Sequence, residues 1–186
     1  MLYYIMLTII TPCCRQNNIP KLFNSINFNK IINWIIIYDT SNDRKYNKLY
    51  ENNPKIMEVE CTGGISGNPQ RNHGISLVND GYIYFLDDDN IIHPEFWSIV
   101  DKLDNNNFYT FDQARTKGGK ILRGNEIGIR RIDTAMFIVH KKHIGNITWK
   151  CDLYGADFFF ISEININNAG KHTYINKTAC CYNYLK

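Results

Sequence analysis

The densest chemistry in the chain is Asp87-Asp88-Asp89, which follows the uncharged run Tyr82-Ile83-Tyr84-Phe85-Leu86 and precedes Asn90. Adjacent carboxylates raise one another's pKa unless a cation answers them. Their oxygens are hard donors of the kind a divalent ion accepts, so the triplet predicts a bound hard divalent cation. An EF-hand is excluded, because no glycine and no distal glutamate follow at the required spacing. The run before the acids is apolar on both faces, which predicts a buried strand of an α/β sheet that ends at them. Ligands of such sheets bind beyond the carboxyl ends of the strands. The triplet therefore predicts a metal held where a phosphorylated ligand would sit.

Strand-like and helix-like segments alternate around this run, which favours an α/β sheet flanked by helices over an all-β or bundle fold. The pattern predicts strands over residues 4–10, 34–38 and 57–61, with a loop through Thr11, Pro12, Cys13, Cys14 and Arg15 after the first. A helix is expected over 19–26 and a polar one over 43–52. Asn68 is a helix cap by type and Pro69 suits the first helical position, which places Arg71 and Asn72 in the first turn. His93-Pro94 opens another helix. Strands are expected over 108–113 and 121–132, about a turn at Gly118-Gly119, and over 135–139. Phe158, Ile161 and Ile164 recur at helical spacing, with Gly170 as a stop.

At 186 residues and 44% hydrophobic content the chain fits one domain, 1–186, able to bury a core. The formal charge of +3 is spread thinly, which disfavours nucleic acid as a partner and leaves small anionic ligands open. Six cysteines, Cys13-Cys14, Cys61, Cys151 and Cys180-Cys181, make no Cys-x-x-Cys spacing, so a zinc site is not expected. Together with the lack of a secretory pattern in the first residues, they predict a reducing, cytoplasmic setting. No apolar run approaches the roughly 20 residues that span a bilayer.

Two further groups fall at strand ends: Thr11 to Arg15 after the first strand and Asp39 after the second. With Arg71 and the acidic triplet they should converge on one crevice suited to a nucleoside diphosphate.

The segment Gln70-Arg71-Asn72-His73-Gly74-Ile75, then the strand with Asp87-Asp88-Asp89-Asn90, then Pro94-Glu95-Phe96, resembles the nucleotide-sugar core of GT-A fold glycosyltransferases. It is most similar to the family 43 glucuronosyltransferases, with a looser likeness to family 2. Ile10-Thr11-Pro12, Trp34 to Asp39, and Asp133-Thr134-Ala135-Met136-Phe137 resemble further segments of family 43 in the same order.

The resemblance implies a GT-A fold, Rossmann-like with a mixed, mostly parallel sheet, and transfer of a sugar from a nucleotide diphosphate donor, UDP favoured, to a glycan or other hydroxyl acceptor with inversion. It implies that Thr11, Pro12 and Asp39 hold the nucleoside, with Asp39 at the base. Asp87 and Asp88 belong to the nucleotide site, with Asp88 at the ribose. Asp89 ligates a divalent ion, Mn2+ or else Mg2+, as part of an Asp-x-Asp motif, Arg71 braces the acidic turn or the base, and Asp133 faces the donor sugar. Asp157, in Tyr154-Gly155-Ala156-Asp157-Phe158, occupies the place of the catalytic base. Cys14 stands where the family stacks an aromatic residue on the base, and the catalytic residue of the family is usually Glu.

Each acid also has a plain structural alternative: Asp157 as a helix cap, Asp39 as a turn former, Asp133 as a local hydrogen-bond acceptor. A retaining transferase, a sugar-phosphate nucleotidyltransferase and a catalytically silent nucleotide-sugar-binding module stay open. The short segment after Asp157 leads to the expectation that a lid, a partner chain or an adjoining domain completes the acceptor site, and loops such as 116–126 are expected to carry acceptor contacts.

Overall fold

A computed structural model describes residues 5–115 and 119–186. Tyr4 and Gly118, at the edges of an expected strand and turn, lie outside the described residues. Strands β1 (Leu7–Cys13), β2 (Asn33–Asp39) and β3 (Ile56–Cys61) pair in parallel, and β4 (Tyr82–Phe85) joins β1 on its other side, also in parallel. Beyond β4 the pairing changes sense. β8 (Phe137–His140) runs antiparallel to both β4 and β6 (Phe108–Arg115), and β6 then pairs in parallel with the long β9 (His172–Tyr182). The short β5 (Ile91–Ile92) closes on β9 and β7 (Lys120–Leu122) on β6. The order among the described residues is β3-β2-β1-β4-β8-β6-β9-β5.

The central strands are apolar on both faces because both are covered. Leu7, Ile9, Trp34, Ile36, Tyr82 and Tyr84 point to one side, where α1 (Ile19–Phe23) and α3 (Phe96–Val100) pack through Leu22, Phe96 and Ile99. Ile10, Ile35, Ile37, Ile83 and Phe85 point to the other. There α2 (Asn68–Ser76) and α5 (Ala156–Asn167) pack through Ile75, Phe160, Ile161 and Ile164. This period-two division is what a doubly covered parallel sheet requires. Helix α2 approaches closely because Gly74 lacks a side chain, and a Cβ there would lie 2.6 Å from Ile10 Cγ2. A short helix α4 (Lys141–Ile144) follows β8.

Several expected elements differ. Residues 43–52 form no helix beyond a 3-10 turn at Ser41–Asp43. Tyr46 and Tyr50 pack against the core from an irregular segment, and the backbone N–H groups at Leu49 and Tyr50 donate to the Glu58 carboxylate on β3 (2.9 and 2.7 Å) in place of helical partners. The strand expected over 121–132 ends at Leu122. Gly124 then presses on β6, where a Cβ would sit 2.1 Å from the Phe111 carbonyl oxygen, and its own N–H donates to Asp112 (3.1 Å). The strand expected over 135–139 begins as a 3-10 turn at Thr134–Met136. Helix α2 is capped by Gly67 in the left-handed region (φ 77°), so Asn68 and Pro69 both lie inside it. Asn68 is freed from capping and donates to the Lys150 and Leu153 carbonyls (2.9 and 3.0 Å).

Candidate active site

The ends of β1, β2 and β4 open on a cleft of about 960 Å3. Period-two alternation decides which residues of β1 reach it. Pro12 does, on the side of Ile10. Thr11 does not: it is wholly buried on the Trp34 side, and its hydroxyl accepts the Trp34 indole N–H at 2.9 Å. The nucleotide contact expected of the Thr11 side chain is thereby corrected to a core hydrogen bond that ties β1 to β2.

The acidic triplet diverges: Asp87 meets Arg71, while Asp88 and Asp89 share Arg15, with Lys186 also beside Asp89. Asp87 pairs with Arg71 Nη2 at 2.5 Å. Arg71 is 4% exposed, donates to the Ser66 carbonyl (2.7 Å) and Asn68 Oδ1 (3.0 Å), and lies 4.7 Å over the Trp149 ring. It braces the turn. Asp88, 2% exposed, accepts the backbone N–H groups of Cys14 and Arg15 (both 2.7 Å) and Nε of Arg15 (2.8 Å), with Arg15 Nη2 beside the same oxygen. Its donors already fill it, so a ribose contact requires some of these bonds to open. Asp89 lies 3.0 Å from Arg15 Nη2 and 3.4 Å from Lys186 Nζ, and burial raises its carboxyl above the usual range. The segment after β9 delivers Lys186, because Leu185 N–H donates to the Asp89 carbonyl (3.0 Å) and Asn183 N–H to Asn90 Oδ1 (2.8 Å).

Asp39, Asp133 and Asp157 complete the acidic lining. Asp39 Oδ1 accepts from the Ser41 backbone and hydroxyl (3.0 and 2.6 Å), the turn-former role, while Oδ2 lies 3.5 Å from Arg44. Asp133 accepts from Thr134 N–H (2.7 Å) and pairs with Arg115 (3.1 Å). Burial, then the charges of Asp87 and Asp157, push Asp133 up to about 6. Asp157 sits in the first turn of α5, behind Gly155 in the left-handed region (φ 80°). Its Oδ1 accepts the Phe158 N–H at 2.9 Å, and burial raises its carboxyl. All the expected site residues except Thr11 therefore meet in one cleft, and the structural alternatives for Asp39 and Asp133 hold alongside.

The sequence profile of Glycosyl transferase family 2 matches residues 8–162. The chain belongs to that family. This is the family its motifs resembled more loosely, and the likeness to family 43 rests on motifs alone. Among solved structures, the glycosyltransferase domain is similar to S. aureus TarS 1-349 in complex with UDP (TM-score 0.76, 15% identity, 95% of this chain and 60% of that chain). It is similar also to S. aureus TarS 1-349 in complex with UDP-GlcNAc (TM-score 0.74, 15% identity, 95% of this chain and 58% of that chain). At that identity the likeness establishes the GT-A fold, and the chain spans about 60% of the TarS 1-349 chain. No curated protein matches in sequence.

The family's domain here gathers no three-residue cluster of His, Cys, Asp or Glu able to hold a metal by itself, among the described residues. Asp89 is a single carboxylate of the kind that can hold a hard cation together with phosphate oxygens, and Arg15 and Lys186 stand on its Oδ2. Arg115, Tyr182 and Lys186 also line the cleft and were given no place in it by sequence reasoning, whereas Arg15 was expected at the crevice without a role of its own. Arg15 was visible beside the Thr-Pro loop. The β-branched and aromatic run Thr173-Tyr174-Ile175, with Ala179 to Tyr182 after it, was a signal for the strand that places Tyr182 and Lys186.

Proposed function

We propose that the domain transfers a sugar from a nucleoside diphosphate donor, a UDP-sugar, to a hydroxyl of an acceptor, with inversion. The observation that carries the reading is the convergence of Pro12, Asp39, Asp89, Asp133 and Asp157 on one cleft at the carboxyl ends of the parallel strands. Support for uridine comes from Asp39, whose Oδ2 is met by Arg44 only at 3.5 Å and suits the imide N–H of uracil, and from the similar solved structures that hold UDP and UDP-GlcNAc.

In this reading Pro12 and Asp39 hold the nucleoside, Asp88 sets the Cys14-Arg15 backbone beside the diphosphate, and Arg71 and Asp87 keep the turn in place. Asp89 would hold Mn2+ or Mg2+ with the diphosphate oxygens, and the chemistry such an ion supplies is neutralisation of charge on the departing diphosphate. Asp133 faces the donor sugar. Asp157 takes the acceptor proton, and its raised pKa makes it a stronger base than an ordinary aspartate near neutral pH. A reducing setting is supported by Cys14, a free and exposed thiol at the cleft. No helix among the described residues is long and apolar enough to cross a membrane.

The test is UDP release from UDP-glucose, UDP-GlcNAc and UDP-glucuronate with Mn2+, in the wild type and Asp157→Asn. The expected result is release from one donor, reduced at least about 100-fold in the variant with UDP binding kept. Undiminished release in Asp157→Asn would indicate retention. Binding without release from any donor would make the domain a silent nucleotide-sugar module.

A further inference from the structure

Tyr154 is 84% exposed, and among the described residues its ring and hydroxyl have no partner. A lone exposed aromatic is ordinary. This one lines the cleft three residues before Asp157, and Phe159 (44% exposed) and Ile129 (66% exposed) line the same cleft. Both candidate acids, Asp133 and Asp157, thus share the cleft with apolar surface left open to solvent. The backbone carrying Tyr154 is fixed: Asn68 holds the Lys150 and Leu153 carbonyls, and Ile65 N–H donates to the Cys151 carbonyl (2.9 Å). An aromatic face presented on a fixed loop loses little freedom when it is covered.

We propose that Tyr154, with Phe159 and Ile129, is an acceptor subsite that takes the C–H face of a pyranose ring and presents one of its hydroxyls to Asp157. The inference rests on the transferase reading and names the acceptor class within it. A pyranose with axial C–H groups on one face offers a flat apolar surface for the electron-rich face of an aromatic ring, while its hydroxyls stay at the edge. An acyclic polyol has no such face. The ring of Tyr154 is the element required and its hydroxyl is not, so Tyr154→Phe keeps the subsite and Tyr154→Ala removes it.

The experiment is saturation-transfer NMR on wild type, Tyr154→Phe and Tyr154→Ala, each with UDP and Mn2+. Methyl β-glucopyranoside and methyl β-galactopyranoside serve as probes and xylitol as the acyclic control. UDP binding is read by thermal shift on the same samples. The expected result is transfer to the axial ring protons of a pyranoside in wild type and Tyr154→Phe, weakened about tenfold in Tyr154→Ala, with none to xylitol. Equal transfer in Tyr154→Ala, equal transfer to xylitol, or no pyranoside signal while UDP binds would overturn the subsite alone. Failure of UDP to bind the wild type would overturn the donor reading and the subsite with it.

Discussion

Arg71 and Asp87 join a buried helix to the rim of the cleft: the guanidinium is 4% exposed, yet its Nη2 meets a carboxylate that opens on the site at 2.5 Å. The same group lies over Trp149 and holds the Ser66 carbonyl, so one side chain fixes α2, the loop before it and the acidic turn. Arg71→Ala leaves Asp87 and that carbonyl without their donor and is expected to cost about 3 kcal/mol or more, since breaking a buried pair strands its partner. Urea unfolding would show it as a lowered midpoint with unchanged slope, and Arg71→Lys should recover only part.

Asp88 acts on the loop after β1, through the N–H groups of Cys14 and Arg15 and the Arg15 side chain. Asp88→Asn offers one acceptor oxygen in place of two and removes the charge. It is expected to lower stability by about 2 kcal/mol and to weaken UDP binding along with it. Paired denaturation and calorimetric titration would check both effects, and a variant equal to wild type in both would leave Asp88 without this role.

The site was legible where local chemistry alone decides it. The uncharged run ending at Asp87 had to be a doubly covered strand, and Asp39 follows the same logic on β2. Partners far apart in sequence were not legible. The donors to Asp88 lie more than 70 residues upstream, so a carboxylate that reads as a free ligand is in fact filled. Thr11 was misplaced because the motif gives its neighbourhood and only the pleat gives its face. Asn68 has a cap's chemistry, but the left-handed Gly67 starts α2 one residue earlier. The polar stretch 43–52 looked helical until Glu58, on β3, supplied acceptors for its backbone.

Asp133 lies near two other acids and is largely shielded from solvent, and its folded pKa of about 6 stands above the ordinary 3.8. The protonated form is therefore favoured by folding: the contribution is fully present below about 4 and is lost as pH rises through about 6. Asp133→Asn should stabilise the fold at pH 7.5, by at most about 3 kcal/mol, and the gain should vanish near pH 4. Asn can still accept from Thr134 N–H. Thermal melts across that range, in chelator, would show the gap opening as pH rises, and a gap independent of pH would contradict it.

Burial raises Asp157, so the acid limb of the transfer rate should fall at a pH above the ordinary aspartate value. As pH drops through that raised pKa the carboxylate takes up its own proton and can no longer take the acceptor's. A rate profile under saturating donor and acceptor checks this, with Asp157→Glu expected to keep an acid limb and Asp157→Asn to lose it with the rate.

The most direct measurement is thermal shift of the wild type and Asp89→Ala with UDP, GDP, dTDP and CMP, each with and without Mn2+. A UDP shift that depends on Mn2+ and disappears in Asp89→Ala, while the ligand-free melting temperatures stay close, is the predicted result. No shift with any nucleotide in the wild type would contradict the assignment of this cleft to a nucleotide-sugar donor.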